Sequence, residues 1–399
     1  MLDAYSRGVV PISADVIVVG GGVNGASIAY HLARKKAGRV VLLEKRALAS
    51  GPTGRSTAIV RRFYGSEFFS RMANSAADIF QNWAHTIGGG DPGFRQIGYV
   101  VLADAERAPI LERNLLRARE VGSRVQLATV SDLQAIVPRM ELDGVALGSY
   151  EAESGYADPV ATTHALATRA VDLGAIVIQD APALELVAAG NKMAGVRTPV
   201  GVVSAPKVVN CAGPWAATLL APLGIAVDIQ PTRHQMCLFR RPPGFDSHPV
   251  IVDTPNRTYM RPDSGHLTAF GVGVYDEVVD PDTYHQGVDA SEPVRNAELI
   301  ARRLPVMKDA VFRGGYSGVY DRTPDRQPVL GRLPQYDGLF ACFGWSGHGF
   351  KHAPVVGEII ADVVLEGSSK EYDITPFRWS RFQEGDLLPP VTPIAASPV

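Results

Sequence analysis

Cysteine is nearly absent: Cys211, Cys237 and Cys342 are the only three in 399 residues, and no two stand at a CxxC spacing. That excludes a disulfide framework and a structural zinc centre, so no metal site is expected. The scarcity fits a reducing, cytoplasmic setting. An excess of one charge is missing as well, with 39 Lys and Arg against 41 Asp and Glu, a net charge of -2. Such a chain lacks the electrostatic footprint of a nucleic-acid or anionic-membrane binder. No apolar run approaches the ~18 residues of a membrane span, and the N-terminus does not place an apolar stretch after a charged one. Neither a membrane span nor a classical export signal is expected. Internal repeats and low-complexity segments are absent too.

What is present begins with size. At about 150 residues per domain the chain makes two or three domain-sized units. With 46% hydrophobic and 20% charged residues, the composition is that of a soluble globular protein. Asp15–Val19 is an apolar run, a helical pattern follows a glycine cluster as far as Lys36, and a second apolar run, Arg39–Leu43, ends at Glu44. That is a strand, helix, strand unit. Helical periodicity marks Phe69–His85, Ala108–Val121, Asp158–Leu173, Pro293–Leu304 and the stretch from Gly349 to about Leu365. Short β-like runs stand at Ala175–Gln179, Ala183–Ala188, Lys207–Asn210 and Leu339–Phe343, and the proline-punctuated stretch from Gln230 to about Gly287 reads as antiparallel strands with long loops.

Gly20-Gly21-Gly22-Val23-Asn24-Gly25 is a GxGxxG at the strand-to-helix turn, with Glu44 nineteen residues after Gly25. The context is that of a dinucleotide fingerprint. Gly20 permits the tight turn, Gly22 lets the backbone approach a pyrophosphate, and Gly25 lets helix pack on strand. Val23 and Asn24 open the helix whose N-terminal amides face the phosphates. Glu44 can accept hydrogen bonds from ribose hydroxyls and disfavours a 2'-phosphate, hence NADP. NAD and FAD share this fingerprint. Two later segments, KVVNCAGPW (Lys207–Trp215) and GWSGHGFK (Gly344–Lys351), are not needed for an NAD site.

With GRSTAIVRRFYG (Gly54–Gly65), GYADP (Gly155–Pro159), YDRTPDRQPVLG (Tyr320–Gly331) and FGWSGHGFKHAPVVGE (Phe343–Glu358), these segments resemble the D-amino-acid oxidase family of FAD oxidoreductases, within it most closely the sarcosine oxidases and the sarcosine oxidase β subunit. The resemblance implies an α/β fold: a Rossmann-like FAD-binding domain with a second substrate domain on a mixed, largely antiparallel sheet. It implies that Lys45, Ser50, Arg55, Ser56 and Thr57 line the pyrophosphate and ribityl region, and that Ala183, Cys211, Gly213 and Trp215 belong to the cofactor set. Gly347, His348 and Gly349 would face the flavin, and Lys351 would belong to the cofactor set as well. Arg61 and Lys351 would clamp a substrate carboxylate, the guanidinium bidentately and the ammonium as a point charge, with Tyr259 and Tyr320 lining the substrate pocket.

Three departures carry weight. Residues 315–320 hold no cysteine where covalent relatives attach flavin, so FAD is expected to be non-covalent. Thr268 stands near the position of a lysine that helps oxygen react with reduced flavin in monomeric sarcosine oxidases, and the histidine that follows that lysine has no counterpart here. The expected activity is FAD-dependent oxidation of a small carboxylated amine, a sarcosine-like N-methyl or other secondary or primary amino acid, to an imine that hydrolyses, with oxygen or another acceptor taking the electrons. Two alternatives remain: a flavoprotein dehydrogenase subunit of a hetero-oligomer, passing electrons to a partner, and an NAD-dependent dehydrogenase. No strong base is evident, so pocket electrostatics are expected to lower the amine pKa. The expected domains are 12–92, 151–228 and 314–389 for the cofactor, 93–150 and 229–313 for the substrate, and a mobile tail over 390–399.

Overall fold

The computed structural model describes residues 6–7, 11–273, 277–389 and 391. The range read as a mobile tail lies outside the described residues except for Val391, which is buried and whose carbonyl accepts from Gly65 N–H at 3.0 Å.

The apolar runs assemble a seven-stranded sheet in the order Ser6–Arg7, Ile176–Gln179, Val40–Leu43, Val16–Val19, Lys207–Asn210, Leu339–Phe343, Val329–Arg332. All neighbours are parallel except the last pair. Val16–Val19 and Val40–Leu43 are buried at every position, as strands covered on both faces must be, which is why they read as continuous apolar runs. On one face lie the helices Val23–Arg34, Pro159–Asp172 and Gly349–Glu366. The first and last approach so closely that a Cβ on Gly357 would stand 2.1 Å from Ser27 Oγ. The other face is covered by a three-stranded antiparallel sheet, Glu185–Ala189, Lys192–Thr198 and Gly201–Ser204. Its last two strands escape a hydropathy reading because Lys192, Gly195, Arg197 and Gly201 break up their apolar positions.

A second, eight-stranded sheet runs Val311–Arg322, Gln230–Arg240, Leu267–Val272, Thr258–Asp263, Val250–Asp253, Tyr99–Ala103, Leu147–Glu151, Gln126–Ala128. It is antiparallel except where Val250–Asp253 pairs with Tyr99–Ala103. Helix Glu292–Arg303 packs Ile300 against its core residues Met260 and Phe270. The fold is therefore α/β, a mostly parallel sheet with helices on one face and a small antiparallel sheet on the other, joined to a mixed, mostly antiparallel sheet.

The helix expected over Phe69–His85 is Glu67–Gln81 followed by the short turn Trp83–Thr86, interrupted at Asn82 (φ -114°, ψ 30°). Asp158 opens the helix Pro159–Asp172 by accepting from Val160 and Ala161 N–H, both at 2.9 Å. Val311–Arg322 is one continuous strand of the second sheet, so a division at 314 cuts through it.

Candidate active site

The strand Val16–Val19 ends at Gly20, whose φ of +108° and close approach to Cys211 O, 2.5 Å from a Cβ, admit only glycine. Gly25 is dictated by the same turn: its Cβ would lie 1.9 Å from Gly20 O. Gly22 is different. Its φ is -73° and a Cβ there would meet only Thr53 Oγ1, at 3.0 Å, so the protein itself does not demand glycine and the open side is left for a ligand. Next to it, Asn24 Oδ1 is buried without a partner, and the helix Val23–Arg34 carries no acid in its first turn. A positive helix end with no acid in its first turn, opening on a cavity beside Gly22, fits the phosphates of a dinucleotide, and Asn24 Oδ1 is left to accept from a hydroxyl.

Glu44 ends the neighbouring strand. Its Oε2 accepts from Gly21 N–H at 2.6 Å and its Oε1 from Arg46 N–H at 2.8 Å. Burial pushes its carboxyl upward while these bonds oppose the shift. Each oxygen keeps a second lone pair for a ribose hydroxyl.

A cavity of about 390 Å³ opens at the C-terminal ends of the parallel strands and is closed on its far side by the second sheet. Every residue expected to hold the cofactor borders it except His348 and Lys351; Tyr259 and Tyr320 border it and Arg61 does not. Residues unexpected from sequence also border it, among them Thr53, His234, Met236, Asp321 and Cys342. Thr53 lies within the loop that supplied Ser50 and Arg55, and its Oγ1 accepts from Val23 N–H at 3.2 Å. His234 and Met236 alternate along Gln230–Arg240, a periodicity visible only once the strand's inward face is known.

The second-sheet wall is aromatic and neutral. Tyr320 stacks on His234 with centroids 3.7 Å apart, Tyr259 Oη donates to Met236 Sδ at 3.0 Å, and the Tyr259 and Tyr320 hydroxyls are hydrogen-bonded. Burial, reinforced by Arg322 and Arg326, lowers the His234 imidazole to about 3. Gly347 (φ +94°) lies against Tyr320, whose ring a Cβ would meet at 2.5 Å.

The SGHG turn differs in detail from the expected donor row. Asp321 gathers the N–H of Gly344, at 2.7 Å, with those of Trp345 and Ser346, and burial raises its carboxyl to about 6. Those amides therefore turn toward Asp321, leaving Gly347 and Gly349 at the cavity. The His348 ring lies among Tyr64, Phe69 and Trp345 with Nε2 on Arg326 O at 3.2 Å. Burial, then Lys351, lowers it to about 3.

Arg61 and Lys351 meet at one ring. The guanidinium carbon of Arg61 lies 3.8 Å and the ammonium of Lys351 5.7 Å from the Tyr64 centroid. Arg61 donates to Phe63 O, and Lys351 Nζ to His348 O at 3.5 Å. Neither forms an ion pair among the described residues. Burial, then the Arg61 charge, holds the Lys351 amine well below its ordinary value. Glu151 is buried nearby, accepting from Arg62 N–H at 2.6 Å, Phe63 N–H at 3.2 Å and Ser154 Oγ at 2.5 Å; it fixes the backbone that carries Arg61. Thr268 is turned away, hydrogen-bonded to His248 Nε2 at 2.9 Å and absent from the cavity wall. On that strand it is Gly271 that pairs with Tyr259.

Residues 15–363 match the family described as "FAD dependent oxidoreductase". The chain belongs to that family. Among curated relatives, this oxidoreductase is 30% identical over 389 residues to peroxisomal sarcosine oxidase of Homo sapiens, covering 92% of this chain and 96% of that one. Among solved structures it superposes on L-proline dehydrogenase from P. horikoshii with a TM-score of 0.87 at 27% identity (95% and 100% covered), and on glycine oxidase from Geobacillus kaustophilus with 0.81 at 26% (93% and 99%). An NAD-dependent reading of the glycine turn is thereby overturned, and FAD is the cofactor that the phosphate cradle and Glu44 fit. No helix among the described residues is long and apolar enough to cross a membrane.

Proposed function

We propose that this oxidoreductase oxidises a small amine bearing a free carboxylate, a sarcosine-like N-methyl or other secondary or primary amino acid, at the carbon next to nitrogen, giving an imine that water hydrolyses. One observation carries the reading: the half-buried Arg61 and the buried Lys351 face a common ring and form no ion pair among the described residues, while the buried Glu151 carboxylate, whose charge acts on Arg61, is itself taken up by Arg62 N–H, Phe63 N–H and Ser154 Oγ. A largely buried cation pair left open is costly unless an anion completes it, and the substrate carboxylate is that anion. The relatives named for sarcosine, glycine and L-proline all bear names of such compounds.

Bound FAD supplies the hydride acceptor. The protein's own residues do the rest. Arg61 and Lys351 fix the carboxylate and so orient the reacting carbon. The same two positive charges disfavour an ammonium beside them, which keeps the amine in the neutral form that can expel hydride. Tyr259, Tyr320, His234 and Met236 form an uncharged wall for the substrate side chain. FAD is held non-covalently: burial raises the Cys211 thiol well above its ordinary value beside Cys342, and a protonated thiol is a poor nucleophile. Residues 12–92, 151–228 and 323–389 act as the cofactor unit and 93–150 with 229–322 as the substrate unit, the last boundary following the strand Val311–Arg322.

The electron acceptor is oxygen or a partner protein. With Gly271 and not a cation at the strand position opposite Tyr259, no charge from that strand assists oxygen. The test is anaerobic loss of the flavin's visible absorbance on adding sarcosine, N-methyl amino acids, proline or D-amino acids, followed by admission of air. Bleaching by a carboxylated amine is expected, and slow recovery in air assigns a dehydrogenase with a partner. Bleaching by none of them refutes the substrate assignment while leaving the cofactor in place.

A further inference from the structure

The segment 277–289 crosses from the second sheet to the cofactor cleft. Its ends are sewn to Gln230–Arg240. Val279 N–H donates to Pro231 O and Arg233 N–H to Glu277 O, both at 2.9 Å. The buried Arg233 guanidinium reaches Glu277 at 3.0 Å on one side and Asp289 at 2.8 Å on the other. Asp289 N–H donates to Gln235 Oε1 at 2.8 Å.

Between these anchors lies a turn in which Asp280 accepts from Asp282 N–H (Oδ1, 2.8 Å) and Tyr284 N–H (O, 3.1 Å). The turn carries Asp282 across to the first sheet. There its carboxylate accepts from Lys45 Nζ at 2.6 Å, Arg46 Nη2 at 3.2 Å and Trp215 Nε1 at 2.9 Å. The Lys45 ammonium lies 3.6 Å from the Trp215 ring centroid. Further along, Gln286 accepts from Arg55. All four partners, Lys45, Arg46, Arg55 and Trp215, border the cavity, and they come from two loops of the cofactor side, the one after Val40–Leu43 and the one after Lys207–Asn210.

We infer that 277–289 is a strap that retains FAD in its cleft, with Asp282 as its latch and as the residue that positions Lys45 over Trp215. The inference rests on the cleft being the FAD site. One carboxylate collects three donors from two loops, so a single contact orders side chains that otherwise move independently and repel one another as cations. Each exposed pair is weak alone, and Asp282 is half exposed. The latch can therefore open without disturbing either sheet, whose anchors at Arg233 are buried.

The experiment loads wild type, Asp282→Asn and Asp282→Ala with FAD, dilutes each, and follows the return of free-flavin fluorescence. Release is expected to be about three- to tenfold faster in Asp282→Ala, within the range of a small charge network. Asp282→Asn, which keeps an acceptor for Trp215 but loses the charge, falls between. Raising the salt should speed release from wild type and leave Asp282→Ala unchanged, a signature that mere loss of folding would not give. Release from Asp282→Ala at the wild-type rate in both salts overturns the latch. A wild-type protein that takes up no FAD overturns instead the cofactor site on which it rests.

Discussion

Arg62 places its guanidinium against Asp78 at 2.7 Å and Glu153 at 3.2 Å and is fully buried there, whereas its neighbour Arg61 forms no ion pair among the described residues and donates to Phe63 O between the rings of Tyr64 and Tyr99. Two adjacent arginines thus divide into one that is paired by the fold and one that, under the proposed function, pairs with the substrate carboxylate. Replacing Arg61 by Ala is expected to lower kcat/KM by about 30- to 150-fold, the 2–3 kcal/mol of a charge-assisted bond, with little change in melting temperature; steady-state kinetics beside a thermal melt check both halves. Lys351 adds a pH dependence whose sign follows from its lowered pKa. As pH rises the ammonium is lost earlier than in an ordinary lysine and its attraction for the carboxylate goes with it, so kcat/KM falls on the alkaline side. On the acid side the rate falls because the substrate amine becomes protonated. Lys351→Met should retain the acid limb and lose the alkaline one. A variant profile with both limbs intact would show that Lys351 does not hold the substrate.

The glycine turn separates two kinds of requirement that the fingerprint merges. Gly25→Ala drives a Cβ to 1.9 Å from Gly20 O, an overpacking that costs about 1–3 kcal/mol or more and lowers the stability of the apoprotein. Gly22→Ala has an ordinary φ and one soft neighbour, so apoprotein stability should stay within about 1 kcal/mol. Its methyl fills the space of a phosphate, and FAD affinity should fall at least about tenfold. Chemical denaturation and flavin titration of the pair read these effects separately. The turn was legible in sequence because its requirements are local: strand, glycines, helix and acid follow one another within thirty residues or so. Thr53, in the next loop, was passed over because nothing in its neighbourhood says that its hydroxyl faces Val23. His234, Met236 and Asp282 were illegible for a different reason. Strand register brings His234 and Met236 to the cavity and the path of a long loop brings Asp282 to the Lys45 and Trp215 side chains that border it, and neither is encoded by spacing. The motif containing Tyr320 was visible as a unit, yet its acids serve the fold: Asp321 organises the 344–346 turn, and Asp325 forms a buried bidentate pair with Arg381, at 2.8 and 3.0 Å.

At the scale of the molecule, the cavity is the place where two sheets with separate cores meet. Strands of the first contribute glycine turns and amides; Gln230–Arg240, Thr258–Asp263 and Val311–Arg322 of the second contribute the aromatic wall. The alternation of helix and apolar strand made the first sheet readable, while the second was readable only as a class, because which of its strands pair, and in what register, is not carried by local periodicity. A ligand that touches both sheets stabilises them jointly. FAD at a thousand times its dissociation constant adds about 4 kcal/mol to the folded state, and that energy is lost if either sheet unfolds. Calorimetry is therefore expected to show the holoprotein melting in one transition at a temperature that rises with FAD concentration. The apoprotein should melt lower and more broadly, with the strand pairs of the second sheet and the Rossmann-like sheet no longer tied through the cofactor. If apo and holo transitions coincide in temperature and width, FAD does not bridge the two sheets and the cavity's far wall has no part in holding it.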